Sequence, residues 1–137
     1  MFSGPMEDRL AIRELNDLYG DGVVRCDPET WGSIWAEDAT WDFMGQHLEG
    51  REAIVGLWNG AMSQFEAVSF SCSPAAIEVN GDSATGRTQT QEILKGKDGS
   101  TRHIGGLYED RLTKINGQWL FAHRAWTMIV EFNPKEG

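Results

Sequence analysis

The groups in this chain best placed to move a proton begin with Asp27, which ends the run IRELNDLYGDGVVRCD directly before Pro28. Tyr19, Val23 and Asp27 recur every four residues, so a helix stacks them on one face, and the apolar members of that face turn it inward. A carboxylate at the inner end of such a face has two uses. As an N-cap it starts a second helix, because Asp followed by Pro at the first helical position is a strong start signal. As a general base in an apolar cavity it has its pKa raised by burial toward a useful range.

The second candidate is Arg124, in FAHRAWTM. Strand alternation puts Ala122, Arg124, Trp126 and Met128 on one face and Phe121, His123, Ala125 and Thr127 on the other. An inward guanidinium keeps its charge and would stabilise an anion or a leaving group. The plainer readings place Arg124 on the outer face or in an ion pair with Asp27 or Glu92. Glu92 adds a second acid if it shares an inward face with Thr90; the two acids would then divide base and acid roles. Tyr19 and Tyr108 are core aromatics or phenol donors.

His103 sits beside Gly105-Gly106. Alternation from Tyr108 turns it away from the inner face unless a bulge at the glycines reverses the order. His47 lies in an expected loop, and His123 alternates away from Arg124. The three imidazoles lack metal-ligand spacing, so no metal is expected. Gly105-Gly106 matches no phosphate loop or dinucleotide fingerprint, so no cofactor is expected either. Cys26 reads as a buried packing residue, and Ser69 lacks a nucleophile elbow. Trp31, Trp41, Phe43, Trp58, Trp126 and Met128, with Ser69, Thr90, Glu92 and Tyr108, are the expected lining of a cavity for a flat, apolar ligand.

The elements that must position these groups are legible. Leu10, Leu15, Leu18, Tyr19 and Val23 give helical spacing from about Glu7 to Cys26, and the bond to Pro28 stops that helix. A short helix over Glu29 to Trp35, a strand over Thr40 to Met44, a loop over Gly45 to Gly50 and a helix over Arg51 to Gln64 follow. The rest alternates as strands: Val68 to Val79 with a bend at Pro74, Ser83 to Lys95, Thr101 to Ile115 and Gln118 to Phe132. Turns at Asn80-Gly81-Asp82, Lys97-Asp98-Gly99 and Asn116-Gly117 separate them. Met1 to Pro5 is given no structural weight, as a frayed end or a segment foreign to the domain. The fold class is therefore α+β: three N-terminal helices on a curved, mostly antiparallel sheet, enclosing a conical cavity in one domain.

Composition narrows the partners. With 137 residues, 40% of them hydrophobic, the chain can bury a real core. A net charge of −9 argues against nucleic acid and anionic membranes. No apolar run is long enough to span a bilayer and no signal-peptide pattern is present. Two cysteines imply no disulfide framework, so a cytoplasmic location is expected. The outer face of such a sheet asks to be covered, which predicts a homodimer or homotrimer.

The segments IRELNDLYGDGVVRCD, WGSIWAEDATWDF, LEGREAI, NGDSATGR, GGLYEDRLTKINGQWLF and HRAW together resemble the SnoaL-like family of the nuclear transport factor 2-like superfamily, and in its order. They cover nearly the whole chain. The first region most resembles lyases of the hexachlorocyclohexane dehydrochlorinase, scytalone dehydratase and bile-acid 7α-dehydratase type. The resemblance implies a cone-shaped fold and cofactor-free removal of HX from a hydrophobic ring. It also implies Asp27 as the base, Arg124 as its partner across the cavity and Trp41 as a cavity aromatic. The dehydrochlorinase histidine falls at Ser69 and its lysine at Gly22. The acid and the arginine are thus kept while the histidine and lysine are absent, which argues against the same dehydrochlorination.

The expected function is a cofactor-independent lyase on a small hydrophobic cyclic or aromatic substrate. Asp27 is the general base, and Arg124, with Tyr19 or His103, steadies the anion. Two alternatives stay open. One is an isomerase or cyclase using the same acid on a steroid or polyketide. The other is a non-catalytic binding or assembly module, which predicts a capped Asp27, an ion-paired Arg124 and a cavity filled by side chains. An epoxide hydrolase would need a second Asp that the pattern hardly supplies.

Overall fold

The first residues join the sheet. In the computed structural model, which describes residues 1–134, β1 (Phe2–Ser3) pairs in parallel with Ile77 and Glu78. Met1 O accepts a bond from Ile77 N at 3.0 Å. The expectation for Met1 to Pro5 is corrected on this point: an open sheet edge offers backbone partners that a local reading of five residues cannot see.

α1 (Met6–Val24) and α2 (Pro28–Ser33) follow, then β2 (Trp35–Phe43), β3 (Gln46–Glu49) and α3 (Arg51–Met62). The remaining strands are β4 (Phe65–Asn80), β5 (Ser83–Gly96), β6 (Thr101–Ile115) and β7 (Gln118–Phe132). β2 starts five residues before the expected strand, because Phe121 N bonds Ile34 O at 2.9 Å and Trp35 pairs with Phe121, drawing the chain into the sheet straight after α2. The expected loop around His47 is also corrected: it is β3, joined to β2 through Met44 and Gly45 with φ of 52° and 80°. That is the double positive φ of a tight hairpin, hidden because Met is an unusual residue there.

The seven strands order β1-β4-β5-β6-β7-β2-β3. The β1–β4 and β2–β7 pairs are parallel and the others antiparallel. Long strands of this kind twist and curl, and α1 packs across β4 and β7 while α3 packs on β2. The inner face carries Ala84, Thr88, Thr90 and Leu94 of β5 and Ile104, Tyr108, Asp110 and Leu112 of β6, all buried. Strict alternation reaches them without a break, since the β5–β6 register is continuous from Ser83 to Lys95.

β7 is different. It holds an extra residue at two places. Opposite Arg111 and Leu112 it presents His123 and Phe121, so Ala122 is bulged; opposite Gly105 and Gly106 it presents Val130 and Met128, so Ile129 is bulged. The first bulge corrects the alternation read from sequence, because Phe121 and Arg124 now both point inward, each fully buried. The expected bend of β4 is present as a register shift between Pro74 and Ala76.

Candidate functional site

The α1–α2 corner decides what Asp27 does. α1 ends at Val24, two residues sooner than its periodicity suggests. Cys26 takes the left-handed conformation at φ 49°; its N–H bonds Val23 O at 3.1 Å and the Asp27 N–H bonds Gly22 O at 2.9 Å. This pair of bonds is a Schellman stop. It turns Asp27 off the face of Tyr19 and Val23, and it leaves Cys26 exposed rather than buried as expected.

The Asp27 side chain then caps α2. Oδ1 accepts from Thr30 N at 3.2 Å, Oδ2 accepts from Thr30 Oγ1 at 2.7 Å, and Arg25 Nη1 stands 3.7 Å from Oδ2. The hydrogen bonds from the Thr30 hydroxyl and backbone, with the Arg25 charge, hold its carboxyl below the usual carboxylate range. Asp27 does not line the cavity. Gly22, where the resemblance places a lysine, has no room for a side chain: a Cβ there would lie 3.0 Å from Trp31 Cβ and 3.2 Å from its backbone.

Arg124 is inward, as expected, but its partner is neither Asp27 nor Glu92. Nε donates to Asp110 Oδ1 at 2.7 Å and Nη2 donates to Asp110 Oδ2 at 3.0 Å and to Asn16 Oδ1 at 2.9 Å. Burial opposes its charge, but the facing Asp110 carboxylate more than restores it and raises its pKa. The guanidinium lies 3.9 Å from the ring centroids of Tyr108 and Phe121 and 4.7 Å from that of Tyr19. Nη1 has no hydrogen-bond partner among the described residues. Asp110 was not singled out from sequence, although it lies two residues from Tyr108 on an alternating strand, which places it on the same face.

Above this cation stand the two phenols. Tyr19 Oη and Tyr108 Oη are 2.6 Å apart, and Trp41 Nε1 donates to Tyr108 Oη at 3.1 Å. Burial raises both pKa values, so both phenols are neutral. Two hydroxyl protons serve one bond between them. One proton is therefore left over, whichever phenol donates to the other, and both rings line the apolar cavity.

That cavity has a volume of about 80 Å³. Trp41, Phe43, Trp58 and Trp126 wall it together with Phe65, Phe70 and Met62. The Trp41 and Phe43 rings stack at 4.6 Å, and Trp126 donates to Thr90 Oγ1 at 3.1 Å. Trp126 lies flat against Gly106, where a Cβ would come within 2.3 Å of the indole nitrogen. The carboxyl that lines this cavity is Glu92, and burial pushes its pKa up to about 7, with Arg102 pulling it back. An acid poised at that value exchanges protons in both directions near neutrality.

The other candidates separate. Ser69 is exposed on the outer face, between the inward Val68 and Phe70, so its expected place in the cavity is corrected. His103 is also corrected: the bulge falls in β7 and leaves the alternation of β6 intact, so His103 stays outside, near Phe132. Trp31 is fully buried and stacks on Trp58 at 4.6 Å, a core residue behind the wall. Thr90 and Met128 share the inner face without lining the cavity. His47 pairs with Asp42, and His123 Nδ1 meets Thr40 Oγ1 at 2.6 Å, both on the outer side. No cluster of three or more His, Cys, Asp or Glu among the described residues could hold a metal ion, and no helix is long and apolar enough to cross a membrane.

Comparison with known proteins places the fold. No curated protein matches the chain by sequence. A candidate scytalone dehydratase from Novosphingobium aromaticivorans superposes with a TM-score of 0.86 at 22% identity, covering 93% of this chain and 88% of that one. Hexachlorocyclohexane dehydrochlorinase LinA-type3 from Novosphingobium barchaimii superposes at 0.85 with 20% identity, over 93% and 90% of the two chains. Rv3472 from Mycobacterium tuberculosis, of unknown function, is 27% identical with a TM-score of 0.79, over 91% and 78%. These likenesses establish the cone-shaped fold shared with nuclear transport factor 2-like proteins. The SnoaL-like domain profile matches residues 5–125, and on that match the chain belongs to the SnoaL-like domain family.

Proposed function

We propose that the protein is a cofactor-independent lyase that eliminates water or a similar small molecule from a hydrophobic, cyclic or aromatic substrate. The observation that carries the reading is the pairing of Glu92 with the Tyr19–Tyr108 phenols across one aromatic cavity. Glu92 takes over the base role that the resemblance assigns to Asp27, because Asp27 is committed to capping α2. As Glu92 accepts a substrate proton, the C–H pair becomes the new C=C bond. The C–O pair leaves with the oxygen, which takes the uncommitted phenol proton and departs as water. The proton on Glu92 restores the phenol by way of solvent. Arg124 lies beneath both rings and stabilises the negative charge that develops on the phenol oxygens.

The wall of the cavity must part to admit a ring, since about 80 Å³ is well below the volume of a typical ligand site. Ala61, Met62 and Phe65 lie where α3 ends and β4 begins, and Ala61 is exposed, so the opening is assigned there. We also propose self-association as a dimer or trimer, supported by exposed Ile93, Val130 and Phe132 on the outer face of the sheet; sedimentation at two concentrations tests it.

Two other readings rest on particular observations. The near-neutral pKa of Glu92 equally suits taking a proton and returning it elsewhere, as an isomerase does. The capped Asp27, the Arg124–Asp110 pair and the small cavity favour a non-catalytic binding module. A screen of cyclic alcohols, halides and aryl propanoids, read by product mass, separates the three. Loss of HX supports the lyase, conserved mass with a changed product supports the isomerase, and binding without turnover supports the module.

A further inference from the structure

Beyond Glu92 the inner face ends in charge. Ile104 of β6 lies opposite Glu92 of β5 on one side and Glu131 of β7 on the other, so these three form one row across the sheet. Arg102 is one pleat further along β6, opposite Leu94. It is thus a diagonal neighbour of both acids, within reach of a long side chain. One guanidinium faces two carboxyls, and it has chosen Glu131: Nε donates to Oε2 at 2.5 Å. Glu131 also accepts from Asn133 Nδ2 at 3.4 Å. Among the described residues Arg102 makes no ion pair with Glu92.

Among the described residues the other groups facing Glu92 carry no charge. β4 offers Phe70 and the Cys72 thiol, whose pKa burial pushes up to about 12. α1 offers Val23 and the Tyr19 phenol, α3 offers Ala61 and Met62, and the sheet adds Tyr108 and Trp126. Among the described residues Arg102 is therefore the cation placed to tune the cavity acid, and Glu131 is its competitor.

We propose that Arg102 is a positioning residue for Glu92, and that Glu131 clamps its guanidinium so that Glu92 is left without an ion-pair partner. The inference rests on Glu92 being the acid of the site. Freed from the clamp, Arg102 reaches Glu92 and turns a proton-exchanging group into a permanently ionised one. The clamp explains how a carboxyl can stay poised near neutrality with an arginine so close.

The first readout needs no substrate. The side-chain carboxyl of Glu92 is titrated by carbon-13 NMR in the whole chain, its resonance assigned by its loss in Glu92→Gln. Glu131→Gln should move the Glu92 midpoint down by roughly 1–3 pH units, as a newly gained opposite charge does. Arg102→Met should move it up, and Arg102→Lys should return it toward the starting value. An unmoved midpoint in Glu131→Gln, or a fall in Arg102→Met, overturns the clamp. A midpoint that moves as described while the pH profile of turnover stays fixed upholds the clamp and removes Glu92 from the chemistry instead.

Discussion

Asp27 and Glu92 are both carboxyl groups, and the fold holds them in opposite ways. Asp27 lies just past Val23, solvent-touched, with Thr30 donating to both its oxygens. Every one of those bonds favours the ionised form and spends it on holding two helices at a corner. Glu92 faces Leu94, Phe70 and Trp126, and no hydrogen bond from a described residue stabilises its charge. The same functional group is a fixed anion in one place and a proton carrier in the other. An acid is suited to catalysis by what its surroundings withhold as much as by where it sits.

Glu92→Gln and Asp27→Asn strain this contrast most. Gln keeps the shape of Glu92 and loses the proton, so turnover should fall by roughly 10²–10⁴-fold, the usual contribution of a general acid or base. Asn caps a helix as well as Asp does, so Asp27→Asn should leave both stability and turnover within a few-fold.

A second pair of substitutions sharpens what Arg124 is for. It is fully buried against Asp110, so Asp110→Ala leaves a buried cation unpaired and should cost about 3–5 kcal/mol in chemical denaturation. Replacing both partners with apolar residues of similar volume should recover much of that loss.

Stability against pH distinguishes the two acids without any substrate. The folded pKa of Glu92 is raised, so the folded state is at no disadvantage below the unfolded value and loses stability as pH rises toward about 7. Glu92→Gln should remove that loss, making the variant more stable than the parent above pH 7 by at most about 3 kcal/mol. The folded pKa of Asp27 is lowered, so its contribution is present at neutral pH and is lost as pH falls through the acid range. Asp27→Ala loses the cap that Asp27→Asn keeps, so it should lower the denaturation midpoint slightly where Asn does not.

Much of the fold was legible because its signals are local. Thr101 to Ile115 and Gln118 to Phe132 are bounded by turn residues, and both strands have those ends. The site was less legible because it depends on departures from regular geometry. Cys26 in a left-handed conformation cannot be read from its residue type, and that one residue takes Asp27 off the helical face. The bulge at Ala122 brings Phe121 beside Arg124, against simple alternation. Asp110 was within reach of alternation from Tyr108, but an acid in a strand draws notice only once its arginine is known to be inside. Glu92 was visible as a possible inward acid. What singles it out is the wall of aromatic residues from six other elements, which no local pattern contains.

The central claim is that Glu92, and not Asp27, carries the proton. Its most direct test is the ratio of kcat values for Glu92→Gln and Asp27→Asn on the first substrate the screen yields, measured on folded proteins at one pH. A Glu92 variant slower by at least about 100-fold, beside an Asp27 variant that works nearly as well as the parent, is the predicted result. A dead Asp27→Asn beside an active Glu92→Gln would contradict the account and return the chemistry to the helix corner.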